Sequence, residues 1–539
     1  HMERIEPLGL VKMDLLGHRS LTVIHDTVQH ISKNYGIHID LDRLPDPDPL
    51  TAELLRSGNT VGCFQIESPA MRALLQNTQA NDTDMLIKTL SLIRPGPSGS
   101  GMKKYFIARH LGKEKVEYLH PSLQKVLKDT YGVMLYQEDI LKVANAIAGI
   151  SLAEADSLRR SITKKGDLKE FAAFMKLFIK KAQEQGVAKQ TAERIWELIA
   201  NFAKYSYCKA HACTYGKLAY QCAYLKAHFP AEFSASVLSN RGGFYHIPVY
   251  IEEAKRMGVE LLPPDINRSD YMYTVENGAI RTGLLEIRDL SRQTIRNILK
   301  KRNEAAFSSL TDLCLRTALS YEEAQALIDS GACDGLSCPR PRLNWELRVF
   351  FRHKSVRENS QQFYLSSQNH LIRKPPFSVP NYPRRKRVEQ EWSMLDFLLK
   401  THPLEYFLPF SKPSSLVSSR DLPLYAGKHI TVVGWLIAER RVGVPNHGVM
   451  KFLTFEDVDG IFEAVLFSDT YQRYGCLLNS QGPYYLCGKV QLIDHYAALI
   501  IDKLENLGES KKSYDLSDIT PPLNWMFPHN ANCRLIQAD

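Results

Sequence analysis

No apolar run in the 539 residues reaches the roughly 18 needed to span a bilayer, and no signal peptide is visible, so a membrane role is not expected. None of the ten cysteines forms a C-x-x-C pair. Cys333 and Cys338 stand too far from other ligands for a zinc site, so reduced thiols in a cytoplasmic protein are expected. No internal repeat is visible. Neither sign of charge dominates: 68 Lys plus Arg against 59 Asp plus Glu leave +9, which suits a polyanionic partner without requiring one. With 44% hydrophobic and 24% charged residues, wholesale disorder is excluded. The length suggests about three or four domains.

The patterning divides the chain. Leu8-Gly9-Leu10-Val11, followed by Lys12 and Asp14, reads as a strand with an acid near its end. Residues 21–265 are mainly helical in pattern, with apolar residues three and four apart in Asp139–Ile147, Leu152–Ile162, Glu170–Gln185 and Thr191–Phe202. Shorter segments follow over 266–336, with helices expected at Ser291–Lys301 and Tyr321–Ser330. Residues 337–390 hold six prolines, at 339, 341, 375, 376, 380 and 383, and the run Arg384-Arg385-Lys386-Arg387, and read as a poorly packed linker. From 427 to 505 the pattern turns to strands (HITVVGWLIA, VMKFLTFED, IFEAVLF, PYYLCGKVQLI, YAALIIDKL), a five-stranded small barrel. The fold class expected is multidomain α+β: helical modules, then a β-barrel.

Several residues could carry chemistry. A strand-borne aspartate such as Asp14 can hold a divalent metal for phosphoryl transfer, although a lone Asp more commonly caps a turn. Arg159, Arg160 and Lys164 fall within about one helical turn and can present a cationic face to a triphosphate. By spacing alone that set is more commonly a solvated basic face. Lys209 heads a helix, and His211 and Tyr215 share a face four residues apart. A cation, an imidazole and a ring there can hold a phosphate and stack on a base, or serve as a surface lysine above a core His and Tyr.

The blocks GCFQIESPAMR (62–72), RPGPSGSGM (94–102), YGVMLYQED (131–139), ADSLRRSITKK (155–165) and KYSYCKAHACTYGK (204–217), with LAYQCAYLKAHFPAEF after them, resemble the palm end and fingers of the bacterial DNA polymerase III alpha subunits, the C-family polymerases. Five ordered, near-complete blocks make chance agreement remote. The resemblance implies template-directed DNA synthesis: transfer of a deoxynucleotide to a primer 3′-hydroxyl. Asp14 matches the third of the family's palm aspartates, which bind two Mg2+ ions, and Lys12 lies beside it on the primer side. Arg159, Arg160, Lys164, Lys209, His211 and Tyr215 match the surface that receives the dNTP. Arg94, Lys103 and Lys104 fall near template or nucleotide phosphates.

The boundaries implied are the end of the palm at 1–20, fingers at 21–265, a helix-hairpin-helix module at 266–336, a Pro-rich clamp-binding region at 337–410, an OB-fold at 411–507 and a tail at 508–539. In the helix-hairpin-helix module, Arg288-Asp289-Leu290 stands where Gly-x-Gly is usual, which weakens backbone approach to DNA phosphates. Gln361, Tyr364 and Leu365 fit a sliding-clamp peptide, or an amphipathic patch in a loop. In the barrel, Arg440, Arg441, His447, Lys451 and Phe452 are candidates for single-stranded DNA, although such barrels also serve as protein adaptors. Cys208 replaces the Asn usual in replicative members, a feature of the error-prone branch. The paired D-x-D aspartates have no counterpart here, so the chain alone is expected to be inactive and to work with other polymerase subunits on primer–template DNA. The rival reading is a non-catalytic DNA-binding accessory protein derived from a shortened or split polymerase.

Overall fold

The computed structural model describes residues 5, 8–11, 13, 17–93, 101–163, 168–203, 207–241, 243–359, 379–408, 416–444, 448–493 and 495–507. Helices come first: α1 Arg19–Tyr35, α2 Pro49–Ser57, α3 Pro69–Thr78, α4 Thr83–Leu92, α5 Met102–His110, α6 Ser122–Leu127, α7 Gln137–Ala148, α8 Leu152–Thr163, α9 Leu168–Glu184, α10 Lys189–Ala203, α11 Lys209–His228, α12 Pro230–Asn240 and α13 Ile247–Arg256. Their starts follow from local chemistry. The Asp48 and Asp82 side chains accept backbone N–H groups at the heads of α2 and α4, and Pro opens α2, α3 and α12 where its missing donor costs nothing. Helix α11 runs through the middle of this region and packs closely on α4, where any side chain at Gly216 would collide with Ile87.

A small sheet of β1 Leu261–Leu262, β2 Thr274–Glu276 and β3 Ala279–Arg281 leads into α14 Arg292–Glu304, α15 Leu310–Thr317 and α16 Tyr321–Asp329. Ser side chains at 291, 309 and 320 cap all three helices. Then come α17 Arg340–Asn359, α18 Arg384–Leu395 and α19 Pro403–Phe407. Strands β4 His429–Val444, β5 Gly448–Glu456, β6 Ile461–Leu466, β7 Tyr484–Ile493 and β8 Tyr496–Asn506 close into a barrel in the order β4-β5-β6-β8-β7, with α20 Ser468–Tyr474 between β6 and β7. Strict alternation of burial along β6 is the signature of one face in and one face out.

There are two cores. One fills the barrel, around Leu436, Phe455, Phe462, Tyr484 and Leu499. The other runs through the helices and onto the outside of β4, where Trp435 meets Trp392 and Phe407 at 5.8 Å between ring centroids. Strand β4 is thus apolar on both faces because it is covered on both, with a register shift between Leu436 and Ala438 adjusting the two patterns.

Two expectations are corrected. Residues 8–11 form no strand: Gly9 sits in a turn, and Leu8, Leu10 and Val11 are exposed; among the described residues no strand pairs with them. The Pro-rich stretch is not a poorly packed linker where it is described: α17 buries Arg340, Leu343 and Leu347, and α18 buries Gln390. The prolines were misleading because they mark helix starts. Pro341 lies in the first turn of α17 and Pro383 is the residue before α18.

Candidate nucleotide and DNA interface

Asp14, Lys12, Arg94, Lys164, His447, Gln361, Tyr364 and Leu365 lie outside the described residues. Arg159 and Arg160 occupy successive positions near the end of α8, which packs on α7, α9 and α10.

The start of α11 is the best-defined part of the site. Residue 136 bridges residue 207 in parallel, and the Gln137 N–H donates to the Tyr207 carbonyl at 2.8 Å. This pairing brings Glu138 to the head of α11, where its two carboxylate oxygens accept the Lys209 N–H at 3.2 and 3.0 Å and the Cys208 thiol donates to it at 3.6 Å. A carboxylate thus already stands at the amides of this helix start, so a phosphate there would be met by side chains. What remains available are side chains. Lys209 and His211 are exposed; the Lys209 ammonium lies 5.3 Å from the Tyr136 ring centre.

The rings form a chain. His211 lies 3.9 Å from Tyr215 between centroids, Tyr215 5.0 Å from Phe64, and Phe64 4.6 Å from His18. The structure thus joins the face predicted from His211 and Tyr215 to His18, four residues beyond Asp14. Both His18 ring nitrogens are buried without a hydrogen-bond partner among the described residues.

His18 and Phe64 line a cleft of about 420 Å³ with Gln65, Glu67 and Gly243. Its floor is fixed by Glu67, which accepts from the Gly62 N–H at 2.9 Å, the Phe244 N–H at 2.5 Å and the Tyr250 hydroxyl at 3.0 Å. Burial pushes the Glu67 carboxyl up to about 7, against these donors and the pull of Lys226. The loop beneath, residues 59–67, is pinned by Lys226, whose ammonium donates to the Asn59 and Val61 carbonyls at 2.7 and 2.8 Å and to Glu253 at 2.6 Å. Sequence reasoning missed His18, Phe64, Glu138 and Lys226. The GCFQIESPAMR, YGVMLYQED and LAYQCAYLKAHFPAEF blocks contain Phe64, Glu138 and Lys226, but contacts between segments far apart in sequence, 46 residues for His18 and Phe64 and 71 for Glu138 and Lys209, leave no spacing signal.

Among the described residues no group of three or more His, Cys, Asp or Glu could hold a metal ion, and Asp14 lies outside them, so no metal step is derived from these residues.

The other predicted cations separate into free and committed. On α5, Lys104 is exposed, whereas Lys103 is partly buried and desolvation lowers its pKa. In the barrel, Arg440 faces Phe452 across β4 and β5, and Arg441 faces Lys451. Lys451 does not fit a DNA contact: it is 7% exposed and bonded to Glu439 at 2.7 Å. Arg440 and Arg441 are exposed and Phe452 is 40% exposed, leaving a cation and a ring side by side on one face.

In the helix-hairpin-helix region, Asp289 adopts φ +64, the left-handed conformation that glycine usually supplies. The turn is retained without its glycine. Its amides are largely committed: Ile287 to Leu284, Arg288 to Met394 and Ser291 to Glu323.

Residues 20–186 match the bacterial DNA polymerase III alpha subunit finger domain, and residues 258–343 match a helix-hairpin-helix motif. An error-prone DNA polymerase from Symbiobacterium thermophilum is 31% identical over 94% of this chain and 50% of its own length. DNA polymerase III subunit alpha from Aquifex aeolicus is 34% identical over 88% of this chain and 40% of its own length, and that from Escherichia coli 31% over 95% and 46%. The chain spans about half the length, or less, of these relatives. With a finger domain, a helix-hairpin-helix module and a five-stranded barrel in order, and similarity running through all three, the chain belongs to the bacterial DNA polymerase III alpha subunit family.

Proposed function

We propose that this chain serves template-directed DNA synthesis, supplying the dNTP-receiving and DNA-guiding surfaces of a polymerase that joins nucleotides to a primer 3′-hydroxyl. The observation that carries this reading is the ring chain from His18 to His211, which ties residue 18, four positions after Asp14 in sequence, to the helix whose head carries the exposed Lys209. Lys209 and His211 meet the triphosphate through side chains, while Glu138 holds the helix start in place. Arg159 and Arg160, near the end of α8, and Lys164 add charge for the triphosphate, and Tyr215, ring to ring with His211, completes the surface that receives the nucleotide. Asp14 is one carboxylate of a Mg2+ site, with Lys12 beside it. Arg94, Lys103 and Lys104 lie toward DNA phosphates. Gln361, Tyr364 and Leu365 reach a sliding clamp, and the whole works in the cytoplasm with other polymerase subunits.

In primer extension by the assembled polymerase, Lys209→Ala and His211→Ala are expected to raise the dNTP KM about 10- to 100-fold, the loss of one charge-assisted hydrogen bond. DNA affinity is expected to stay within twofold. Unchanged KM in both variants would overturn the assignment and favour a non-catalytic, DNA-binding accessory role.

A further inference from the structure

Glu138 and Asp139 are adjacent acids in the first turn of α7, and they are committed differently. Asp139 is buried and serves its own helix: its carboxylate accepts the Leu135 and Tyr136 N–H groups at 2.9 Å each. That leaves Glu138, partly buried, to reach the head of α11, 71 positions further along the chain. Helix α11 brings no cap of its own. The Cys208 side chain caps no backbone group, and the first turn holds no acid. Glu138 therefore supplies, from another helix, the negative charge that the start of α11 favours.

The side chains that would meet phosphate are held beside this carboxylate without being spent on it. Glu138 is bonded to the Lys209 amide, whereas the Lys209 ammonium lies 5.3 Å from the centre of the buried Tyr136 ring. His211 stands edge-on to the buried Tyr207 ring at 5.4 Å between centroids. The bridge between residues 136 and 207 thus sets one ring beside each exposed side chain. A triphosphate on Lys209 and His211 then meets a fixed negative charge at the point where helix amides and the dipole would otherwise add a second, rigid grip. Such a grip would tighten substrate without lowering the chemical barrier, and it would retain the pyrophosphate left after nucleotide transfer, which carries the same phosphates.

Resting on the reading of Lys209 and His211 as partners of the triphosphate, we infer that Glu138 is a positioning residue with two effects. Its carboxylate fixes the backbone of Lys209, and its charge weakens the hold of the α11 head on phosphates, so that substrate is bound by side chains alone and pyrophosphate departs readily.

The test is primer extension by the assembled polymerase, with the dNTP KM and the inhibition by added pyrophosphate measured for Glu138→Gln and Glu138→Ala beside Lys209→Ala and His211→Ala. Glutamine keeps an oxygen that accepts the Lys209 N–H and removes the charge. Glu138→Gln is expected to lower the dNTP KM about 3- to 10-fold without raising kcat, and to strengthen pyrophosphate inhibition by a similar factor, the size of one unit charge removed several ångströms from phosphate in a well-screened setting. A gain of affinity does not arise from a damaged fold. Glu138→Ala loses the acceptor as well, and its KM is expected to stand about 2- to 10-fold above that of Glu138→Gln. If Lys209→Ala raises the KM while Glu138→Gln leaves it unchanged or raises it, the inference alone is overturned. A lower KM in Glu138→Gln without stronger pyrophosphate inhibition overturns it as well. An unchanged KM in both Lys209→Ala and His211→Ala overturns the functional reading and the inference with it.

Discussion

Arg256→Ala is expected to cost about 3–5 kcal/mol of stability at pH 8, the penalty for leaving buried carboxylates without their cation. Arg256 ends α13, and its guanidinium reaches Glu456 of β5 at 2.5 Å, the Asp457 carbonyl at 3.4 Å and Glu253 at 3.3 Å. It is therefore the polar centre of the contact between the helical region and the barrel. Glu456 is 1% exposed, and burial pushes its carboxyl up to about 8 even with Arg256 pulling it down. A native carboxyl above its unfolded range, near 4.3, makes the folded state hold a proton that the unfolded chain has released. Stability from this group is complete below that range and drains away as pH rises toward 8. Without Arg256 the native carboxyl rises further, so the deficit of the variant widens with pH. Denaturant unfolding of wild type and variant at pH 6 and pH 8 checks this; an equal deficit at both would contradict the role of Glu456.

Lys226→Met is the second large effect, again about 3–5 kcal/mol. The side chain of Lys226 is 2% exposed, and methionine keeps an unbranched stem, one atom shorter, while leaving two carbonyls and Glu253 short of a donor. Against the burial that would raise it, Lys226 and Arg256 together hold the Glu253 carboxyl below the ordinary carboxylate range. The two cations share one acid, so the double variant is expected to depart from additivity by about 0.5–3 kcal/mol, measurable in a double-mutant cycle by chemical unfolding. Strict additivity would mean that Glu253 does not link them. The change also reaches the site, because the loop that Lys226 pins carries Phe64 and Glu67 to the cleft.

Much of the fold could be read from local pattern. All five barrel strands fall where the strand-like runs placed them, strictly alternating in β6 and apolar on both faces in β4, which is covered on both. Helices α7 to α10 lie where apolar residues recur three and four apart. The errors came where local composition answers to tertiary context. Leu8 to Val11 has strand composition but no partner strand among the described residues. The run Arg384 to Arg387 looked like a solvated linker, yet it opens α18, where Glu389 one turn later meets Arg385 at 3.5 Å. In the site, residue types were legible and relations were not. Lys209, His211 and Tyr215 were evident from spacing on one helix. That Glu138 would occupy the head of that helix, and that Lys451 would be sequestered by Glu439, depends on pairings that only the folded chain makes.

The most direct test of the central claim, that this chain is a DNA-handling part of a polymerase, is binding of labelled single-stranded DNA and of a primer–template duplex to the full chain across a salt series. The expected result is micromolar or tighter binding of both, weakening steeply with salt, with single-strand affinity reduced by Arg440→Ala and Phe452→Ala. No binding of either DNA at low salt would contradict it.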